Sequence, residues 1–164
     1  MTGLPRGVRL GVDYGEVRVG LAASDPDGLI ATPVETLQRD AAASERHLPA
    51  DVAAIAREAD ERSAAVVYVG LPRHLNGSEG AAAQGARAYA RLLATAVGPV
   101  EVRLVDERMS TVSAHSALHA SGRGGRKHRA VVDQVAAVVI LQSALERERT
   151  SVRRAGELVE DGAP

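Results

Sequence analysis

The spacing of apolar positions changes period several times along the chain, and each change marks an element. Val8–Asp13 (VRLGVD) and Val17–Ser24 (VRVGLAAS) read as strands. The short turn Tyr14-Gly15-Glu16 leaves them close enough to form a hairpin. Asp25-Pro26-Asp27-Gly28 is a turn signal, and a third strand is expected over Leu29–Leu37, where Pro33 demands a sheet edge or a bulge. Ala41–Arg62 is alanine-rich and predicted to be helical, with Pro49 near its true start. Ala65–Gly70 (AVVYVG) is continuously apolar, the pattern of a strand covered on both faces. A loop over Leu71–Gly80 leads to a helix over Glu79–Val97, for which Ser78 is the expected cap, and Gly98-Pro99 breaks it. A fifth strand follows at Val100–Glu107, then a short helix at Ser110–Ser121 and a connector with Gly122, Gly124 and Gly125. The last helix spans Arg129–Arg149, apolar on most sides, and the chain from Thr150 onward reads as a frayed tail.

The order β-β-β-α-β-α-β-α-α predicts an α/β fold: a mixed five-stranded sheet in which an antiparallel meander is followed by βαβ crossovers, flanked by helices. One domain is expected over residues 1–150, with a flexible tail over 151–164. The core must be built from small and β-branched side chains, because the 164 residues include thirty Ala and twenty-one Val but no Phe or Trp. The three tyrosines leave little material for stacking on nucleobases. The absence of cysteine excludes disulfides, thiolate metal sites and a thiol nucleophile. The longest uncharged apolar run, Val135–Leu141, is far short of the roughly 20 residues of a membrane span. The polar opening Met1–Arg6 gives no reason to expect a removable leader, so a cytoplasmic protein is expected.

Net charge is −1, but its placement is uneven. No acidic residue lies between Glu107 and Asp133, while Arg108, Arg123, Arg126, Lys127 and Arg129 do, with three histidines. Such a segment either meets phosphate or is a solvated basic loop. Three acids stand in unusual places. Asp13 ends the first strand, Glu107 ends the fifth, and Asp133 sits inside the apolar run Val131–Val139 of the last helix. Each has an ordinary alternative: an Asx turn with Gly15 for Asp13, a local pair with Arg108 for Glu107, and a buried ion pair with an arginine for Asp133. Spacing alone leaves Asp106 competing with Glu107, since successive strand residues face opposite sides. Taken together, acids at strand ends on one edge of a parallel-containing sheet suit a site, and hard oxygen ligands favour Mg²⁺ or Mn²⁺. Two such ions about 3.5–4 Å apart can activate water and stabilise a leaving oxygen in phosphodiester cleavage.

The run Gly11-Val12-Asp13-Tyr14-Gly15-Glu16-Val17-Arg18-Val19-Gly20 resembles the G-x-D-x-G-x-x-R-x-G opening of the YqgF/RuvX family. Further matches follow in order: Ser24-Asp25, Gly70-Leu71-Pro72, Asn76-Gly77-Ser78-Glu79-Gly80, Asp106-Glu107-Arg108 with Thr111, and Asp133-Gln134 with Ala136-Ala137 and Ile140-Leu141-Gln142. The resemblance implies a ribonuclease-H-like fold and a metal-dependent nuclease, with Asp13, Glu107 and Asp133 as catalytic and metal-holding acids. It selects Glu107 over Asp106. Members of the family are described as nucleases that mature the 5′ end of precursor 16S ribosomal RNA, and some as Holliday junction resolvases. Ala136 and Ala137 stand where relatives that resolve junctions often carry a further carboxylate.

Arg18, near Asp13, is expected to meet phosphate or to form a salt bridge. Arg73 and His74 either touch substrate or belong to a solvated loop. The nucleic-acid contacts expected are therefore Arg18, Arg73, Arg108, Arg123, Arg126, Lys127 and Arg129. The expected partner is nucleic acid, either precursor rRNA or branched DNA, with a homodimer left open and no membrane. Two rivals remain in view. An actin-like ATP-binding domain would need a second lobe for which 164 residues leave no room. A non-catalytic RNA- or ribosome-binding module would not need all three acids.

Overall fold

A computed structural model describes residues 3–40, 47–109 and 125–160. Its elements are β1 (Arg9–Tyr14), β2 (Arg18–Ser24), β3 (Ala31–Gln38), α1 (Ala50–Glu61), β4 (Val66–Leu71), α2 (Ala81–Ala96), β5 (Glu101–Asp106), a 3₁₀ turn (Glu107–Met109), α3 (Gly125–Ser151) and β6 (Glu157–Val159). The short helix expected over 110–121 lies outside the described residues. One sheet runs in the order β3-β2-β1-β4-β5-β6. β1, β2 and β3 form the antiparallel meander, and β4 and β5 run parallel to β1. The class is the one expected, with one strand more.

That sixth strand corrects the expectation of a frayed tail. Glu157–Val159 pairs antiparallel with β5, through Val102↔Val159 and Leu104↔Glu157. A three-residue edge strand carries too little periodicity to be visible in sequence. Ser78 is not the α2 cap either. Its hydroxyl donates to Asn76 Oδ1 within the loop, and Gly80 precedes the helix. Pro33 takes both positions allowed to it: β3 is an edge strand, and the register against β2 shifts between Leu21 and Ala22, opposite Pro33.

The two sheet faces are covered differently. α1 and α2 pack on one face over Leu10, Val12, Val19, Leu21, Val67 and Val69, with Ile55, Tyr89 and Leu93 filling the layer. Among the described residues α3 alone covers the other face, with Ala137, Ile140, Leu141, Ala144 and Leu145 against Ala22, Val66 and Tyr68. β4 is therefore buried along its whole length, as its apolar run predicts. Alanine and glycine set the spacing under α3. A Cβ on Gly11 of β1 would come within 2.7 Å of Leu141 Cβ and 2.9 Å of the Ala137 carbonyl oxygen. No helix among the described residues is long and apolar enough to cross a membrane.

A buried charge network locks the far end of α3 to the sheet. Arg9 and Glu148 are each 4% exposed, and Arg9 Nε donates to Glu148 Oε1 at 3.0 Å. Arg154 Nη1 and the Tyr68 hydroxyl both donate to Glu148 Oε2, and the Tyr68 oxygen accepts from the Ala155 N–H at 3.1 Å. Tyr68→Phe removes one donor and one acceptor from this buried set. Its expected cost is about 1–2 kcal/mol, because partners lose hydrogen bonds without regaining water. For a chain of this size the melting temperature should drop by roughly 2–8 °C. An unchanged melting temperature would show that water replaces the hydroxyl.

Candidate active site

The parallel strands β1, β4 and β5 all end on one edge of the sheet, and the acids gather there. Positions Gly11 and Asp13 of β1, Gly20 of β2, Gly70 of β4 and Val105 of β5 belong to the face under α3. Asp13 is paired with Gly20, and the β1–β4 register, which ends at Val12↔Val69, sets Asp13 level with Gly70. Because Gly20 and Gly70 lack side chains, the space on both sides of Asp13 is left to other groups. Glu107 fills one side: a Cβ on Gly70 would lie 2.5 Å from Glu107 Oε1 and 2.6 Å from Ile140 Cδ1. α3 fills the other: a Cβ on Gly20 would lie 2.1 Å from the main-chain oxygen of Asp133.

Alternation carried one residue past the end of β5 separates the neighbouring acids Asp106 and Glu107. Glu107 shares the parity of Arg103 and Val105 and turns toward Asp13, with which it is hydrogen-bonded. Asp106 turns away. It accepts from Arg108 Nε and Nη2, the latter at 2.6 Å, and from the Arg108 N–H at 2.9 Å. These bonds hold its carboxyl below the usual range, while Glu107 rises because burial disfavours its charge.

Asp13 is the most perturbed acid of the site. Burial, then the charges of Glu107 and Asp133, push it up to about 8 from an ordinary 3.8. It keeps a proton and donates it to the Glu107 carboxylate. The folded protein thus binds a proton that the unfolded chain releases across this window. Stability contributed by the protonated pair is present at low pH and is lost as pH rises from about 4 to about 8. In chelator, the melting temperature should therefore fall across that interval, as read by calorimetry. A flat profile would separate the pair from folding.

The alternative weighed for Asp133 and for Arg18 is realised in a single contact. Arg18 Nε donates to Asp133 Oδ2 at 2.9 Å, with the side chains 23% and 19% exposed. Among the described residues no three His, Asp or Glu side chains are arranged as a metal cluster. The site holds a proton-sharing pair, Asp13 and Glu107, with Asp133 beside it on a counter-charge. The chemistry of this donor set fits a hard divalent cation: all the candidate ligands are oxygens, and crowded carboxylates favour a cation over a proton once deprotonated.

The remaining candidate contacts are distributed as follows. Arg73 pairs with Glu79 at 3.3 Å, and Arg108 is held by Asp106. Arg126, Lys127 and Arg129 lie on the first turns of α3, leading into Asp133. Arg123 lies outside the described residues. The hairpin that carries Asp13 is braced from the opposite face. Arg39 stacks on the rings of Tyr14 and Tyr89 at 4.8 and 5.1 Å and donates from Nη1 to the Gly15 carbonyl at 3.2 Å. Nothing in the spacing of Arg39 announces that role. For Gly70 the signal was available, as the last small residue of a buried strand beside the acid-bearing one.

The family model described as "RuvX: Holliday junction resolvase" matches residues 7–147. A protein of Kineococcus radiotolerans is 58% identical over 144 residues, covering 88% of this chain and 74% of its own length. One of a Nocardioides species is 52% identical over 160 residues, covering 94% of this chain and 97% of its own. A third, of Clavibacter sepedonicus, is 56% identical over 153 residues, covering 93% and 91%. All three carry the name "Putative pre-16S rRNA nuclease". Among solved structures, the chain is similar to Thermus thermophilus RuvC with a TM-score of 0.52 at 16% identity, covering 90% of this chain and 98% of that one. That likeness is one of fold, and it makes the sheet and its helices ribonuclease-H-like.

Proposed function

The chain belongs to the RuvX family, and on that premise we propose that it is a metal-dependent nuclease that hydrolyses phosphodiester bonds in maturing the 5′ end of precursor 16S rRNA. The observation that carries this reading is the contact of Asp13 with Glu107 at the strand ends, with α3 seated on Gly20 so that Asp133 stands beside them. Asp13, Glu107 and Asp133 would hold Mg²⁺ or Mn²⁺, which when bound activates water and steadies the leaving oxygen in a two-ion reaction. Asp13 must release its proton to take that role, and a bound cation would draw that proton off, so metal binding would be coupled to proton release. Arg18 neutralises Asp133 in the resting site and is close enough to turn to a substrate phosphate when Asp133 is otherwise engaged. Tyr14 and Arg39 hold the Asp13 hairpin against α2 and keep its carboxylate aimed across the sheet edge. Arg126, Lys127 and Arg129 enter with the helix that carries Asp133 and suit the phosphate backbone on that side.

Branched DNA is the second reading, favoured by the description of the family model. Against it stand Ala136 and Ala137, which put no further carboxylate in the turn after Asp133. The test is to incubate the full chain and Mn²⁺ with a precursor 16S rRNA 5′ leader and, in parallel, with a four-way DNA junction. Cleavage of the leader is expected. Cleavage of the junction alone transfers the reading to the resolvase. Binding of RNA without cleavage of either transfers it to a non-catalytic module.

A further inference from the structure

An open groove of about 980 Å³ lies away from the carboxylates, between the end of α3 and the turn that follows it. It is lined by Arg103, Arg147, Arg153 and Arg154, with Ser143 and Glu146 among the other lining residues. We propose that this groove is a second binding site for the phosphodiester backbone of a nucleic acid, engaging the strand a few nucleotides from the carboxylates. The identity of the ligand rests on the nuclease reading; the site itself rests on the charge, shape and position of the groove.

The charge does not cancel. Arg103 is engaged, with Glu101 at 2.9 Å and with the carbonyls of Ala155 and Gly156. Arg154 shares the single carboxylate of Glu148 with Arg9, so that buried network keeps one positive charge in excess. Among the described residues Arg147 and Arg153 meet no carboxylate, and Glu146 is the acid on the lining. Cations near a helix C-terminus are favoured by its dipole, but that gain needs no cavity. Guanidinium groups bordering an open groove suit the forked geometry of phosphate. No aromatic residue lines the groove, so its lining suits the phosphate backbone more than a run of stacked bases.

The turn is built to hold this arrangement. Val152 ends α3 at φ 55°, a conformation that a β-branched residue adopts only under constraint. The constraint is visible: Arg103 fixes the carbonyls of Ala155 and Gly156, and Tyr68 takes the Ala155 N–H. The result separates two adjacent arginines. Arg154 points inward to Glu148, with its side chain 10% exposed, and Arg153 stays exposed at the groove.

Position ties the groove to the carboxylates. Ser143 and Arg147 also line a narrow cleft with Ile140 and Asp106, and Ile140 crowds the space over Gly70 together with Glu107. From Ile140 to Arg147 α3 rises about 10 Å, which is about three steps of a nucleic-acid strand. A strand lying along β5 and α3 would leave the carboxylates and meet Arg147 first, then Arg153.

The test uses the full chain with Arg147→Ala and Arg153→Ala together, compared with Arg57→Ala and Arg149→Ala, which remove the same charge elsewhere. Binding of the RNA leader and of the DNA junction is measured in chelator across a salt series. Loss of two phosphate contacts should flatten the slope of log affinity against log salt by about 1.4 to 1.8, and the comparison pair should leave it nearly unchanged. Lysine at both positions should restore most of the slope, which a folding defect would not allow. Wild-type affinity and slope in the alanine variant would overturn the groove while leaving the nuclease reading intact. A wild-type protein that binds neither nucleic acid would overturn both.

Discussion

Asp13→Asn should lower the rate of cleavage by at least about a thousandfold while the protein stays folded. Removing a single preorganised charge at a reacting centre costs about 10²–10³ in rate, and loss of a ligand charge adds the weakened hold on the cation. The reason folding survives is specific to this site. In the metal-free protein Asp13 already carries a proton and donates it to Glu107. An asparagine amide of nearly the same shape can make that donation permanently. Asp13→Asn should therefore reduce the fall in melting temperature between about pH 4 and 8, leaving the part that buried Glu107 contributes, and raise stability at the upper end, where the wild type must crowd a second negative charge beside Glu107. One variant then gives two opposite readouts, lost catalysis and gained stability. Cleavage within tenfold of wild type would take Asp13 out of the chemistry. An unchanged pH profile would mean that another group carries the titration.

How far this site could be read in sequence depends on the range of the contact concerned. Asp13 and Glu107 stand at strand ends, and an acid inside Val131–Val139 is conspicuous because an apolar helix does not tolerate it without a partner. Those are local signals, and they single out Asp13 and Asp133 but leave Asp106 competing with Glu107. The choice of Glu107 over Asp106 required knowing which face of β5 lies under α3. Position 107 then follows from the alternation that buries Val105, while Arg108 closes on Asp106. The pairing of Asp133 with Arg18 joins residues 115 positions apart, and no periodicity reports it. β6 and the groove were hidden for a similar reason. Residues 150–160 look like a solvated tail until Arg103 and Tyr68 are seen to hold their backbone. The fold class was legible because β4 and the meander have strong short-range patterns. The packing distances that make a site of the sheet edge were not, because they depend on where side chains are missing.

Gly20→Ala tests that dependence on missing side chains, and it should cost more stability than removing an acid. The added methyl would fall 2.1 Å from the Asp133 main-chain oxygen and 2.6 Å from its carbonyl carbon. Real Cβ atoms do not approach backbone so closely, and the helix cannot yield by a rotamer change. It must lift from β2, opening the layer in which Ala137, Leu141 and Leu145 are fully buried. Overpacking of a tight core costs about 1–3 kcal/mol and more where backbone must move, so a loss of about 2–4 kcal/mol is expected. At roughly 2–4 °C per kcal/mol the melting temperature should fall by about 4–16 °C. Activity should fall with it at temperatures where the variant is still folded, because Asp133 is carried away from Asp13. Asp133→Ala provides the contrast. It should abolish cleavage but change stability by less than about 1 kcal/mol, since it breaks only a partly exposed ion pair with Arg18. The clash at Gly20 is with main-chain atoms, so adding Asp133→Ala to Gly20→Ala should not recover the melting temperature. Recovery in the double variant would mean that the Asp133 side chain, and not the helix backbone, sets the distance between α3 and the sheet.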